Sequence, residues 1–184
     1  MTNENTNKIV DALKLAVRSL TGGKASIEVG TSGNAMCLRI LVHRAEYGKV
    51  CGSKGKMIRA IKFLFEVCMS RNQGVPIRVT LEEPTYGFAQ CRSEEVPAEN
   101  FDAKEYCGVV KSILSLICVN EISFDLVKAM DWQERDTHIF KIKHDTMEGI
   151  PSIQFREAFC VMFTAIAKAS GGNALYKFDN NSLQ

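Results

Sequence analysis

The chain has no surplus of charge: 23 Lys and Arg stand against 21 Asp and Glu, a formal net charge of +2. Proteins that coat nucleic acid indiscriminately carry a large basic excess, so any affinity for a polyanion here has to come from a local arrangement. No apolar run reaches the roughly 20 residues of a membrane span. The seven cysteines, Cys37, Cys51, Cys68, Cys91, Cys107, Cys118 and Cys160, include no C-x-x-C pair and have no His-x-x-x-His beside them. A zinc site needs four converging ligands, and nothing has that spacing. The thiols therefore read as buried and reduced, and their odd number without a signal peptide predicts a cytoplasmic setting. Cys51 lacks a base and an orienting third residue, which argues against a catalytic role. Of the three histidines, His43 and His144 fall at strand ends, where a hydrogen bond that fixes a turn is the expected use. No catalytic residue, metal or cofactor is expected.

What the chain does have is the stretch Gly48-Lys49-Val50-Cys51-Gly52-Ser53-Lys54-Gly55-Lys56, a Gly-x-x-Gly loop at the start of a helix. Gly52 and Gly55 carry no Cβ, so the backbone there reaches φ values closed to other residues and lets a ligand approach closely. Met57, Ile58, Ile61, Leu64, Phe65 and Cys68 then repeat at the spacing of an amphipathic helix, whose first turn offers unpaired N–H groups toward the loop. Arg39, Arg44, Lys49, Lys54, Lys56, Arg59 and Lys62 surround it, with Glu46 the only acid between Arg39 and Lys62. A bare Gly-x-x-Gly is most often a tight turn. The setting, an apolar run before and an amphipathic helix after, is what turns it toward an anion site. It is not a Walker A loop, because Gly48 to Lys56 does not fit G-x-x-x-x-G-K-[ST].

The flanks give an element order. Ile9, Leu13, Val17 and Leu20 form a helical stripe ended by Thr21-Gly22-Gly23. Ala25, Ile27 and Val29 alternate with polar residues, Thr31-Ser32-Gly33-Asn34 turns, and Met36, Leu38, Ile40 and Val42 alternate again, which is a hairpin. After the loop and its helix, Asn72-Gln73-Gly74 breaks the chain and Val75, Ile77, Val79 and Leu81 alternate. Pro76 puts that last strand at a sheet edge, or starts it after the proline. The order is α-β-β-α-α-β.

On Val42-His43, Gly48-Lys49-Val50, Gly52-Ser53-Lys54-Gly55 and Ala60-Ile61, the stretch from about Lys8 to Leu81 resembles a type II KH domain, like that of the small bacterial single-KH proteins of the KhpA type. The family has isoleucine before the first glycine, where this chain has Cys51. The resemblance implies that the loop clamps the backbone of about four nucleotides of single-stranded RNA. Phosphates would lie near the N–H groups of Ser53, Lys54 and Gly55, with Lys49, Lys54, Lys56 and Arg59 adding charge. Single-stranded DNA is the other ligand of that chemistry.

Residues 83–102 hold Pro84, Pro97, Glu82-Glu83 at the border and Glu94-Glu95, and read as an acidic linker between a first domain at 1–82 and a second at 103–184. In the second, Val110, Ile113, Leu114 and Ile117 make a helix stripe, Ile122, Phe124 and Leu126 alternate, Ile139 to Ile142 gives a strand, and Leu175 to Phe178 gives a last one. His144 and Gly149 match His43 and Gly48 at one offset, and Phe159, Met162 and Ile166 then match Ile58, Ile61 and Phe65. The strand before is out of parity by one residue, which requires a bulge or a gap. The reading is a second, diverged KH-like unit, giving an α+β chain of two tandem small α/β sandwiches, each a three-stranded sheet on helices. At 46% hydrophobic, the chain can bury two modest cores.

The halves differ in chemistry. The positions of Gly52 to Gly55 are taken by Ile153, Gln154, Phe155 and Arg156, and Gly149-Ile150-Pro151 leads into a helix. Counted to Asn100 there are 14 basic against 10 acidic residues, and beyond it 9 against 11. Trp132, the only tryptophan, fits either a core or a partner surface. The expected function is non-enzymatic RNA binding at the first loop, with Gly52→Asp together with Gly55→Asp expected to leave the fold intact while repelling the RNA backbone by charge and bulk. The alternative is a protein-interaction or assembly module on the same scaffold, with self-association or a partner bound through the second half.

Overall fold

The computed structural model describes residues 3–23, 25–83, 102–117, 123–130, 136–143 and 152–178. The central part of the linker, Cys91, Cys118, Trp132, His144 and Gly149-Ile150-Pro151 lie outside the described residues. The first half runs α1 (Asn3–Thr21), β1 (Ala25–Ser32), β2 (Ala35–Val42), α2 (Arg44–Cys51), a short turn at Ser53–Gly55, α3 (Lys56–Lys62) and β3 (Ile77–Leu81). The helix that begins with α3 widens to π geometry over Phe63–Met69 and closes with α4 (Ser70–Gln73). The second half runs α5 (Ala103–Ile117), β4 (Ser123–Met130), β5 (Asp136–Lys143), α6 (Ser152–Ala169) and β6 (Ala174–Phe178). The chain is thus of mixed α/β class, with two three-stranded sheets ordered β1-β2-β3 and β4-β5-β6.

The two sheets share one topology. β1 pairs antiparallel with β2 and β2 parallel with β3; β4 pairs antiparallel with β5 and β5 parallel with β6. Met36 stands opposite Ile77, and His138 opposite Ala174. Each inward-facing position is therefore displaced by one residue relative to the offset that matches the helices. The ladder between β4 and β5 is unbroken from Ser123 to Met130, so the difference is not a bulge between these two strands.

Local chemistry sets the boundaries. Pro76 has no N–H to give, and β3 begins just after it at the sheet edge. Its carbonyl accepts from Met36 N at 2.8 Å, and Glu82 N donates to Ile40 O at 3.0 Å, so this side of the strand faces β2. The amides of Ile77 and Val79 point the other way. Ser70 Oγ accepts the first at 2.8 Å and Glu66 Oε1 the second at 2.6 Å, both from the helix beside the strand. Asp102 caps α5, its Oδ1 accepting from Lys104 N at 2.7 Å and Glu105 N at 3.2 Å.

The sequence allows two separate cores, but the buried apolar side chains form a single cluster that spans both halves. Helices supply the junction: α3 packs on α6, α1 on α5 and α6, and the π-helical stretch on α5 and α6. Ile9, Leu13, Val17, Ile61, Leu64 and Phe65 from the first half meet Ile113, Phe159, Met162 and Phe163 from the second, all fully enclosed. Asn72 Nδ2 and Gln73 Nε2 both donate to the carbonyl of Leu116, at 2.9 and 3.1 Å, and so satisfy the end of α5 from across the junction. Within the second half the Phe159 ring lies 4.4 Å from Phe163, 5.1 Å from Tyr176 and 5.4 Å from Phe178. Tyr106 donates to the carbonyl of Phe163 at 2.7 Å and shares a hydrogen bond with the Tyr176 hydroxyl. Burial pushes both phenols well above their ordinary range and raises the thiols of Cys107 and Cys160.

Candidate nucleic-acid interface

The loop does not follow the extended strand directly. His43 stands at the N-cap of α2 with extended backbone, and its Nδ1 accepts from Ala45 N at 3.2 Å, which starts a helix immediately after β2. That bond is the turn-fixing role expected of this histidine. α2 then ends at Gly52, whose N–H donates to Gly48 O at 2.8 Å, so the Gly-x-x-Gly loop is held between two helices.

Its four residues have distinct jobs. Gly52 adopts φ 71° and ψ 169°, a region essentially reserved for glycine. A Cβ there would lie 2.6 Å from Met57 Cβ and 2.7 Å from Met57 N, so the missing side chain also lets the loop fold tightly onto the first turn of α3. Gly55 is left-handed at φ 73°. Lys54, at φ 53°, is the only other residue of positive φ besides glycines among the described residues. This overturns the expectation that aspartates at Gly52 and Gly55 leave the fold intact. Both positions have positive φ, and the first also meets backbone.

The amides are only partly available. Gly55 N donates to Gly52 O at 3.1 Å and Lys56 N to Ser53 O, which takes Gly55 out of the set expected to face a phosphate. Ser53 and Lys54 keep N–H groups with no backbone acceptor among the described residues. Successive amides in a left-handed turn form a concavity suited to an anion.

The basic side chains divide as well. Lys54 and Lys56 are exposed and make no ion pair among the described residues. Lys49 Nζ instead lies 2.7 Å from Oε2 of Glu46, a carboxylate that is itself buried. Arg59 turns back on the loop, Nη1 donating to the carbonyl of Lys54 at 2.8 Å. Arg39 is paired with Glu28 across the hairpin. Glu46 was the residue the charge pattern underrated: its i,i+3 spacing to Lys49 was visible, but its burial was not. Among the described residues no three His, Cys, Asp or Glu side chains stand together to hold a metal ion, and no helix is long and apolar enough to cross a membrane.

In the second half the matching residues are helical. α6 begins at Ser152, so Ile153 to Arg156 form its first turns and no glycine opening exists. Ile153 and Gln154 are exposed, Phe155 is buried 6.0 Å from the Phe159 ring, and the Arg156 guanidinium lies 5.4 Å over the Phe178 ring. No protein-family model matches the chain, and no curated protein is significantly similar to it.

Proposed function

We propose that this chain is a non-enzymatic RNA-binding protein in which a KH-like first half holds the backbone of single-stranded RNA at Gly52–Gly55 and a degenerate KH-like second half serves as its packing partner. The observation that carries the reading is the pair of amides at Ser53 and Lys54, unclaimed among the described residues, between two glycines of positive φ and beside Lys54 and Lys56, which make no ion pair among the described residues. A phosphate seated on those amides leaves its nucleotide free to stack and to be read at its edges. One such site per chain predicts modest affinity unless a second chain or a partner adds avidity.

The test replaces the ligand-facing residues and keeps both glycines. Aspartate tolerates the left-handed region better than most residues, so Ser53→Asp with Lys54→Asp reverses the charge without new backbone strain. Circular dichroism should be unchanged and RNA affinity should fall by at least about tenfold through the lost cation and the added repulsion. Wild-type affinity in the folded variant overturns the proposal. Affinity should also weaken with salt, the slope growing by roughly 0.7 per phosphate contacted.

A second reading, an assembly module, draws on Ile153 and Leu175, large apolar side chains left 68% and 54% exposed in the second half. Partners that survive ribonuclease in a pull-down, without RNA cross-links to the loop, favour it.

A further inference from the structure

Lys54 occupies a backbone conformation that a residue with a Cβ rarely adopts. Arg59, one turn into α3, holds it there: the guanidinium reaches back over the loop and donates to the Lys54 carbonyl at 2.8 Å. The second glycine provides the seat, because a Cβ on Gly55 would come 3.1 Å from Arg59 Nη1 and 3.9 Å from its Cζ. Arg59 is exposed and pairs with no acid among the described residues, so neither burial nor a competing carboxylate draws it into this position. The carbonyl it takes belongs to the peptide that follows Lys54, within the turn whose amides at Ser53 and Lys54 have no backbone acceptor among the described residues.

We infer that Arg59 is a positioning residue: it locks the left-handed turn at Lys54 and so pre-sets the amides of Ser53 and Lys54, in place of contacting the phosphate itself. The inference rests on the RNA-binding reading for its consequence, while the lock is a property of the free protein. A pre-set loop has less ordering to lose when a strand arrives, which raises affinity without adding a contact. The second glycine then has a use beyond admitting a nucleic-acid backbone: it makes room for the guanidinium.

Three readouts on the full chain test this with Arg59→Ala and Arg59→Lys. The Gly55 amide, bonded to Gly52 O in the native loop, reports the lock by hydrogen exchange, and thermal unfolding reports global stability. In Arg59→Ala, exchange at Gly55 should accelerate while the unfolding midpoint stays put. RNA affinity should fall by about tenfold, the scale of one charge-assisted hydrogen bond, with the salt slope at its wild-type value. Arg59→Lys, which can still donate, should recover part of both losses. A slope reduced by roughly 0.7 with Gly55 exchange unchanged makes Arg59 a direct phosphate ligand and overturns the inference. Unchanged exchange together with unchanged affinity overturns it as well. If Ser53→Asp with Lys54→Asp binds RNA like wild type, it is the RNA-binding reading that fails, and the Gly55 exchange arm still decides whether the lock exists.

Discussion

Gly52–Gly55 and Ile153–Arg156 lie between the second and third strands of sheets of the same topology, where helices that pack on one another begin, yet one is an open turn and the other is already part of an unbroken helix. The scaffold is evidently indifferent to which is present. α6 puts Phe155 into the core and spreads Arg156 over Phe178, whereas the first half spends the same stretch on backbone exposure. On the proposed reading, ligand chemistry rests on four residues of the first half, and the second half contributes apolar area to the shared core.

The comparison breaks most visibly at the shared core. Phe159→Ala should cost about 3–5 kcal/mol. Because the cluster spans both halves, denaturant unfolding followed by probes in each half should remain a single transition; two separated transitions would show that the halves are energetically independent. Next, Gly52→Ala should cost about 3 kcal/mol from backbone strain and the clash with Met57. Gly48→Ala, a helical position with open space around the added Cβ, should instead stabilise by about 0.5–1 kcal/mol. Equal effects in thermal melts would remove the argument that the first glycine is required by the loop.

A contrast in charge reversal comes third. Ser53→Asp with Lys54→Asp should lower RNA affinity at least about tenfold, while Ile153→Asp with Gln154→Asp, also on exposed positions, should leave it within about twofold and stability within about 0.5 kcal/mol. Comparable losses would mean that the second half also meets the nucleic acid. Fourth, Asn72→Ala and Gln73→Ala each leave one donor on the Leu116 carbonyl. The double variant should therefore lose about 1–2 kcal/mol, more than the sum of the singles, in a double-mutant cycle. The smallest effect belongs to Glu46→Gln, which frees Lys49: RNA affinity should rise about twofold and the salt slope steepen by up to about 0.7. A fall in affinity would show that the ion pair itself shapes the loop.

Much of this was legible in sequence order. The hairpin, the start of β3 after Pro76, the turn-fixing hydrogen bond of His43 and the two glycines each follow from a local rule about φ, a missing N–H or side-chain periodicity, whereas the helix α2 that His43 starts was not legible. What escaped depends on contacts between residues far apart, or on side-chain direction. The merging of two cores requires knowing that α1 and α3 meet α5 and α6. The pairing of Lys49 requires knowing that Glu46 is buried, and the turning back of Arg59 requires knowing that Gly55 leaves room. All four basic residues could be named from the sequence, but not that two of them are occupied by the protein itself.

The hydrogen bonds from Ile77 and Val79 to Ser70 and Glu66 reach beyond the stability of one strand. They leave the first sheet with one side shut and one side still able to accept a neighbour, at β1. Growth of this first sheet by strand addition is thereby confined to β1: two chains that meet there exhaust the capacity of that sheet.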